Sequence, residues 1–309
     1  MEEKTMQFAN FNITFGSDNS PMLTYFEEII LPAFTGEYIR GKENEIPRYS
    51  FDGVILKKID DEYVMVGNFV KDTEYTVVTT VQKGELVNSP ARVPTAPYSR
   101  FMIFLKNHRM VLIRNETASP DIRSFQKTVS EILMQHIRKE NKERDKTKKL
   151  PFAVVHIVDI PRKETIEQAL KDVKKVNWLK FRFFPLNNDL DSFPLFEAVR
   201  GGMNTAGSKT GSIKFNSPGN KQGIQKVMVA TGGLVESSME VTDAEGEIRR
   251  IKEGTFSSNT KIEYEGNLSI GGDSYIAHQA KKNKAMNTVS EDNAKLYEQK
   301  LELLHKLMH

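Results

Sequence analysis

The chain has 309 residues, and 44 Lys and Arg against 41 Asp and Glu give it a formal net charge of +3. This mild charge does not by itself indicate nucleic-acid binding, for which a local concentration of cations is needed. Cysteine is absent, which excludes disulfides, thiol nucleophiles and cysteine-ligated metal sites. No signal peptide and no membrane span are recognisable, so we expect a cytoplasmic protein without membrane contact.

The first third of the chain carries mainly strand patterns. Residues 8–15 alternate between apolar and polar side chains, which predicts a half-buried strand. Residues 49–59 and 62–69 predict a hairpin, and 75–82, rich in Thr and Val, predict a further strand. Residues 88–97 contain three prolines, which favours a linker or an extended arm because proline interrupts ladders and helices.

The middle of the chain mixes strands and helices. Residues 101–113 predict a hairpin with His108 at its turn, and apolar side chains at helical spacing predict a helix over 119–139. The nearly continuous apolar run at 152–160 predicts a buried strand, and a second helix then leads to a strand at 178–184. This order favours two helices packed over one sheet.

The last third begins with a segment of unusual composition. Residues 201–223 are dominated by Gly, Ser, Asn and Lys, which indicates a mobile loop. Further strands are predicted at 226–230, 238–242, 247–252 and 260–264. A capped helix closes the sequence.

These elements predict an α+β fold with mixed or antiparallel sheets and helices packed on one face. The N-terminal domain, 1–97, is expected to be mainly β. The second domain, 98–280, is expected to contain ferredoxin-like strand–helix–strand units and the mobile loop at 201–223. Residues 286–309 are expected to form a separate C-terminal helix.

The strand at 178–184 has the most informative side-chain pattern. Because side chains alternate along a strand, its Leu and Phe side chains share one face, while Trp178, Lys180 and Arg182 share the other. An aromatic ring beside two cations could stack on bases and neutralise phosphates. An ordinary solvated sheet face is the alternative.

Two further segments are rich in cations. Residues 138–149 hold seven cationic and three acidic side chains at the end of a predicted helix, and the loop at 201–223 holds further lysines. Contacts to a nucleic-acid backbone are expected from Arg138, Lys142, Arg144, Lys146, Lys148, Lys149, Lys209 and Lys214. A solvated helix end and a plain flexible loop are the alternatives.

The histidines offer no metal site, because neither H-E-x-x-H nor H-x-H occurs, and no cofactor is expected. His156 lies on the predicted buried strand and is interpreted as a core histidine. His108, beside Arg109 at a hairpin turn, is the one candidate for a catalytic general base. No other catalytic motif is recognisable, which favours a binding protein over an enzyme.

The C-terminal helix carries leucines that could contact a second copy of the chain. Dimerisation is expected through Leu296, Leu301, Leu304 and Leu307. Docking of this helix onto the core of its own chain is the alternative.

The order of the segments resembles a bacterial family that is known only as a domain of unknown function and is linked to phage defence. The blocks that carry this likeness are 9–13, 101–116, 119–139, 153–186 and 236–266. The layout of residues 101–114, the following helix and residues 163–183 is also similar to the family of the phage lambda Rex exclusion protein A. That second resemblance implies phage exclusion, homodimers and sequence-tolerant DNA binding.

These features favour a non-catalytic, sequence-tolerant nucleic-acid-binding protein that acts as a homodimer in anti-phage defence, with DNA favoured over RNA. A metal-independent ribonuclease or RNA-binding protein is the first alternative, with His108 as its base. A protein-interaction sensor or adaptor, with a co-encoded defence protein as its partner, is the second.

Overall fold

The computed structural model describes residues 2–42, 44–189, 193–264 and 272–308. The strands in chain order are β1 (Glu2–Phe15), β2 (Ser20–Pro21), β3 (Arg48–Ile59), β4 (Glu62–Gln82), β5 (Glu85–Thr95), β6 (Tyr98–Phe104), β7 (Arg109–Arg114), β8 (Ala153–Asp159), β9 (Val173–Phe183), β10 (Gly211–Asn216), β11 (Glu236–Asp243), β12 (Ile248–Lys252) and β13 (Asn259–Tyr264). The α-helices are α1 (Leu31–Thr35), α2 (Ile122–Glu143), α3 (Lys163–Leu170), α4 (Pro194–Thr205), α5 (Lys221–Ala230), α6 (Asp273–Lys281) and α7 (Glu291–Leu307). Among these residues, no helix is both long enough and apolar enough to cross a membrane.

The α+β class expected from the sequence is confirmed, with two antiparallel sheets. The first sheet has the order β13-β1-β7-β6-β4-β3, with β2 and β8 also paired to β1 and β5 paired to β4. The second has the order β10-β9-β11-β12. From Met6 onward, β1 is buried on both faces, because Phe11 and Phe15 enter one core while Met6 and Phe8 enter another.

Helix α2 covers the larger core of the first sheet. Its N-cap is Asp121, whose side chain accepts a hydrogen bond from the backbone N–H of Ser124 at 2.8 Å. Phe125, one turn into the helix, is fully buried against aromatic rings of the sheet and of α1. The apolar face of α2 therefore fixes the helix to the sheet at this point.

The boundary predicted at residue 97 does not separate two sheets. Strands β4 and β6 lie on either side of it and are hydrogen-bonded neighbours, with Gly67 opposite Phe101. Most of the segment 88–97, predicted as a linker or an extended arm, belongs to β5, which pairs with β4. Pro90 and Pro94 are tolerated within β5 because it is an edge strand, where a residue without a backbone N–H need not break a hydrogen bond between strands.

Helix α7 is used by its own chain. Leu304 is fully buried in the larger core, and Leu296, Leu301 and Leu307 pack partly buried against that core. The backbone N–H of Tyr63 also donates a hydrogen bond of 2.7 Å to the Tyr297 hydroxyl. Docking of this helix onto the core of its own chain, the alternative noted from the sequence, accounts for these contacts, and a dimer contact through the four leucines stays a prediction.

The second sheet packs helices on one face, as predicted. Ile166 of α3, Phe196 of α4 and Met228 of α5 share a core with Leu179 and Phe181 of β9. Strands β8 and β9, expected within one strand–helix–strand unit, instead lie in different sheets. The reason is their pairing, since β8 pairs with β1 whereas β9 pairs with β10 and β11.

Two predictions for the last third of the chain are corrected. The segment 201–223, predicted as a mobile loop, contains the end of α4, all of β10 and the start of α5. This segment is ordered because β10 pairs with β9, and such pairing cannot be predicted from amino-acid composition alone. Residues 226–230, predicted as a strand, form the end of α5, which starts at an Asn220 cap bonded to the Gly223 backbone N–H at 2.9 Å.

Candidate nucleic-acid interface

The second sheet leaves open the face opposite its helices. Strand register places side chains in rows across the four strands of this sheet. One row contains Lys214, Lys180, Ser238 and Lys252, and the next contains Asn216, Trp178, Glu240 and Arg250. We call the cationic and aromatic members the basic face, which comprises Trp178, Lys180, Arg182, Lys214, Arg250 and Lys252.

Trp178 lies between two of these cations. The Lys214 Nζ atom is 5.5 Å from the centre of the indole ring, and the Arg250 Cζ atom is 5.0 Å from it. They approach from opposite sides along the sheet, because β10 and β12 flank the pair β9 and β11. Attraction of the cations to the ring holds positive charge directly beside a half-buried aromatic surface.

A cavity of about 480 Å³ adjoins this face and is bounded on another side by helix α2. Its cationic lining residues are Arg123, Lys127, Lys180, Arg182, Arg250 and Lys252. Glu236 is the acidic member of the lining, and its carboxylate oxygens lie 3.3 Å from both Arg182 Nη1 and His156 Nδ1. Positive charge therefore dominates the cavity.

The structure places Trp178, Lys180 and Arg182 on one sheet face, as strand alternation predicted. Pairing of β10 with β9 brings Lys214, expected in a mobile loop, to the same face. The structure adds Arg123 and Lys127 from the first turns of α2, and Arg250 and Lys252 from β12. For Arg250 and Lys252, the only sequence signal was the alternation of side-chain directions along the short strand β12. That signal was insufficient, because the face to which β12 contributes depends on its pairing with β11.

The cationic run at 138–149 is not part of this face. Lys142 follows Lys127 by fifteen residues on α2, which corresponds to about 22 Å along the helix axis. Arg144 is held by Glu28 at 3.1 Å and by Glu140 at 3.5 Å. The structure thus separates this run from the strand cations with which a shared role was predicted.

Lys209 also lies elsewhere. Its Nζ donates hydrogen bonds to the Ser17 carbonyl and, at 3.3 Å, to Asn19 Oδ1, both in the turn after β1. This geometry indicates that Lys209 joins the turn between α4 and β10 to the first sheet.

The prediction that His108 is a general base is wrong. The ring is fully buried, and its backbone φ is 54° at the turn between β6 and β7. Burial, together with the neighbouring charge of Arg109, lowers the pKa of His108 to about 3. A neutral imidazole without solvent contact can neither reach a substrate nor exchange protons with it.

His156 occupies a partly buried position at the junction of the two sheets. Its ring stacks on Phe184, with 4.1 Å between centroids, and its Nδ1 bonds to Glu236. The ring therefore has hydrogen-bonding and stacking partners, but it lies at the edge of the core, with 14% of the side chain exposed, and not inside it as interpreted from the sequence. The same contacts place Glu236 at the border of the basic face.

Asp159, at the end of β8, provides a pH-dependent prediction. Burial raises the pKa of its carboxyl to about 6, against the opposing effect of a 2.5 Å hydrogen bond from the Ser257 hydroxyl. Between about pH 4 and pH 6, the Asp159 carboxyl therefore keeps its proton in the folded state but loses it in the unfolded state. The free energy of unfolding falls as the pH rises through this range. We expect Asp159→Asn to remove this loss and to stabilise the protein at pH 7 by about 1–3 kcal/mol.

Urea unfolding of the wild type and Asp159→Asn between pH 4 and pH 8 measures this effect. Asp145→Asn, at an exposed position, is the matched control and is expected to follow the wild type. Parallel stability curves for the wild type and Asp159→Asn across the whole range would contradict the prediction.

The described residues contain no group of three or more His, Asp or Glu that could hold a metal ion. Comparison of the chain with protein-family models, with curated proteins and with solved structures finds no match. The resemblances noted from the sequence therefore stay expectations, and the functional assignment depends on the geometry of the basic face.

Proposed function

We propose that the basic face binds single-stranded nucleic acid without strong sequence preference and without catalysis. The observation that carries this proposal is the placement of Trp178 on an open four-stranded sheet between Lys214 and Arg250. In a common RNA-binding module, a four-stranded sheet stacks two or three unpaired bases on its exposed aromatic rings. Stacking tolerates different sequences because every base presents a π face.

The surrounding cations supply the complementary part of the recognition. Lys180, Lys252, Arg123 and Lys127 line the cavity next to Trp178 and can contact the phosphates of a strand whose base stacks on the ring. The ribonuclease alternative loses its support with the burial of His108. Within this proposal, binding is the primary activity of the face.

The biological setting is proposed from the resemblances alone. DNA is favoured over RNA, and the setting is cytoplasmic anti-phage defence, with a co-encoded defence protein as a partner. Phage plating on cells that express the wild type or a binding-deficient variant tests this setting. Equal plaque numbers with the wild type, the variant and an empty vector would exclude it.

Binding can be measured at the face itself, because Trp178 is the only tryptophan in the chain. We expect single-stranded oligonucleotides to quench its fluorescence, with weaker effects from duplex DNA. The affinity should fall with salt, with a logarithmic slope of roughly −0.7 for each phosphate contact. Absence of binding at low salt would remove the proposal, and a parallel series with RNA decides between the two nucleic acids.

Charge reversal locates the binding surface. We expect Lys180→Glu with Lys252→Glu to abolish measurable binding in a gel-shift titration. The matched control is Lys148→Glu with Lys149→Glu, which changes the net charge equally at exposed positions beyond the far end of α2. Equal weakening by both pairs would show that total charge, and not the basic face, governs binding.

Replacement of the ring tests stacking separately from charge. Trp178→Ala should weaken binding by about 1–3 kcal/mol, whereas Trp178→Phe should retain most of the affinity. The gel shift serves for both variants, since neither contains tryptophan. Full affinity of Trp178→Ala would eliminate stacking from the mechanism.

A further inference from the structure

Strands β4 and β5 extend beyond the first sheet as a two-stranded hairpin, which we call the β4–β5 arm (residues 73–95). Strand β3 pairs with β4 only as far as Asp72, and the pairing of β6 with β4 ends at Tyr98. In the arm, β4 and β5 therefore pair only with each other among the described residues. An isolated two-stranded ribbon is marginally stable in water, so this arm calls for a contact that supports it.

The two faces of the arm differ in chemistry. Register assigns to one face Tyr75, Val77, Val81, Leu86, Ala91 and Val93, interrupted by Thr79 opposite Asn88. Leu86 is 79% exposed, Val81 69% and Tyr75 67%. The opposite face is mainly polar, although it includes Val78 and Val87. A one-sided apolar surface of this kind indicates a protein contact.

We propose that the apolar face of the β4–β5 arm packs against the same face of a second copy of this chain. Glu74 and Glu85 cancel Lys83 and Arg92, so the arm has no net charge with which to attract an acidic or basic partner. Because the surface is apolar and neutral, it is complementary to itself, as a two-fold dimer contact requires.

An antiparallel crossing of two arms also matches large side chains with smaller ones. Tyr75 and Val93 form a pair at the base of the arm, and Val81 and Leu86 form a pair near its tip. The two-fold axis places the base of one arm over the tip of the other. The aromatic rings then meet aliphatic side chains, and Val77 and Ala91 lie near the axis.

The available area is compatible with a reversible dimer. With nine residue pairs in register, the arm is roughly 30 Å long at about 3.3 Å per residue, and a face about 10 Å in width presents several hundred Å². Two copies approach the lower limit of roughly 1,000 Å² for specific interfaces. We therefore expect a dimer that dissociates in the micromolar range, and this inference does not depend on nucleic-acid binding.

Sedimentation analysis of the full chain from low to high micromolar concentration tests the dimer. The wild type should approach twice the monomer mass, whereas Val81→Lys with Leu86→Lys should remain monomeric. The control Val78→Lys with Gln82→Lys adds equal charge to the opposite face and should still dimerise. All variants should keep the unfolding temperature of the wild-type monomer, since the arm lies outside the three cores.

The absence of cysteine allows a second, independent measurement. Ala91→Cys places a thiol near the proposed axis, and mild oxidation should give a disulfide-linked dimer. Arg92→Cys, on the opposite face, should stay monomeric on a non-reducing gel. A monomeric wild type, a Val81→Lys with Leu86→Lys variant that still dimerises, or equal cross-linking of both cysteine variants would overturn the proposal.

Discussion

Replacement of Asp273 by alanine is expected to lower the free energy of unfolding by about 3–5 kcal/mol. The Asp273 carboxylate accepts hydrogen bonds of 2.9 and 3.0 Å from Arg100 Nη2, and both side chains are about 95% buried, with 4% and 5% exposure. Asn68 Oδ1 accepts a further bond from Arg100 Nη1 at 3.2 Å. The substitution leaves the guanidinium charge buried without its counter-ion, and the loss of that compensation dominates the effect.

Urea unfolding at neutral pH measures this loss. The double variant Arg100→Met with Asp273→Leu removes both charges and should recover most of the lost stability, because apolar side chains of similar volume can replace a buried ion pair. Lys57, a further partner of Asp273 at 2.6 Å, is 39% exposed and can return to solvent. A loss below about 1 kcal/mol for Asp273→Ala would show that the pair is solvated.

Phe125→Ala is expected to cost a similar amount, about 3–5 kcal/mol. The Phe125 ring lies 5.2 Å from Phe51 and Phe69 and 5.3 Å from Phe101, measured between ring centres. These rings hold α2 on the first sheet, so truncation leaves a cavity that rigid neighbours cannot fill. The lost edge-to-face contacts add to the cost.

The same unfolding experiment distinguishes the cavity from a general effect of losing an aromatic ring. Phe125→Leu should cost clearly less, because it keeps most of the buried volume. Phe152→Ala is the surface control: the ring is 59% exposed, and a change within about 0.5 kcal/mol is expected. Equal costs at positions 125 and 152 would contradict this account of the aromatic cluster.

The proposed dimer and the proposed basic face would reinforce each other if both are present. Two linked copies present two binding faces, which raises the apparent affinity for a strand long enough to reach both. Val81→Lys with Leu86→Lys should then weaken binding to long oligonucleotides while leaving binding to short ones unchanged. Gel-shift titrations with the two lengths separate this linkage from direct nucleic-acid contact by the arm.

The sequence by itself determined the local features of this protein. Alternation placed Trp178, Lys180 and Arg182 on one side of β9, and their neighbours Leu179, Phe181 and Phe183 on the buried side. The α+β class and the helix α2 followed from the same kind of short-range periodicity. Such patterns are readable because side-chain direction depends only on the backbone of the element itself.

Only the tertiary structure decided which of these elements meet. It divided β8 and β9 between two sheets, buried His108 and brought Arg123 and Arg250 to the same cavity as Lys180. It also packed the C-terminal leucines against the core of their own chain. Strand partners and burial depend on contacts between residues far apart in sequence, and no local period of the side chains encodes them.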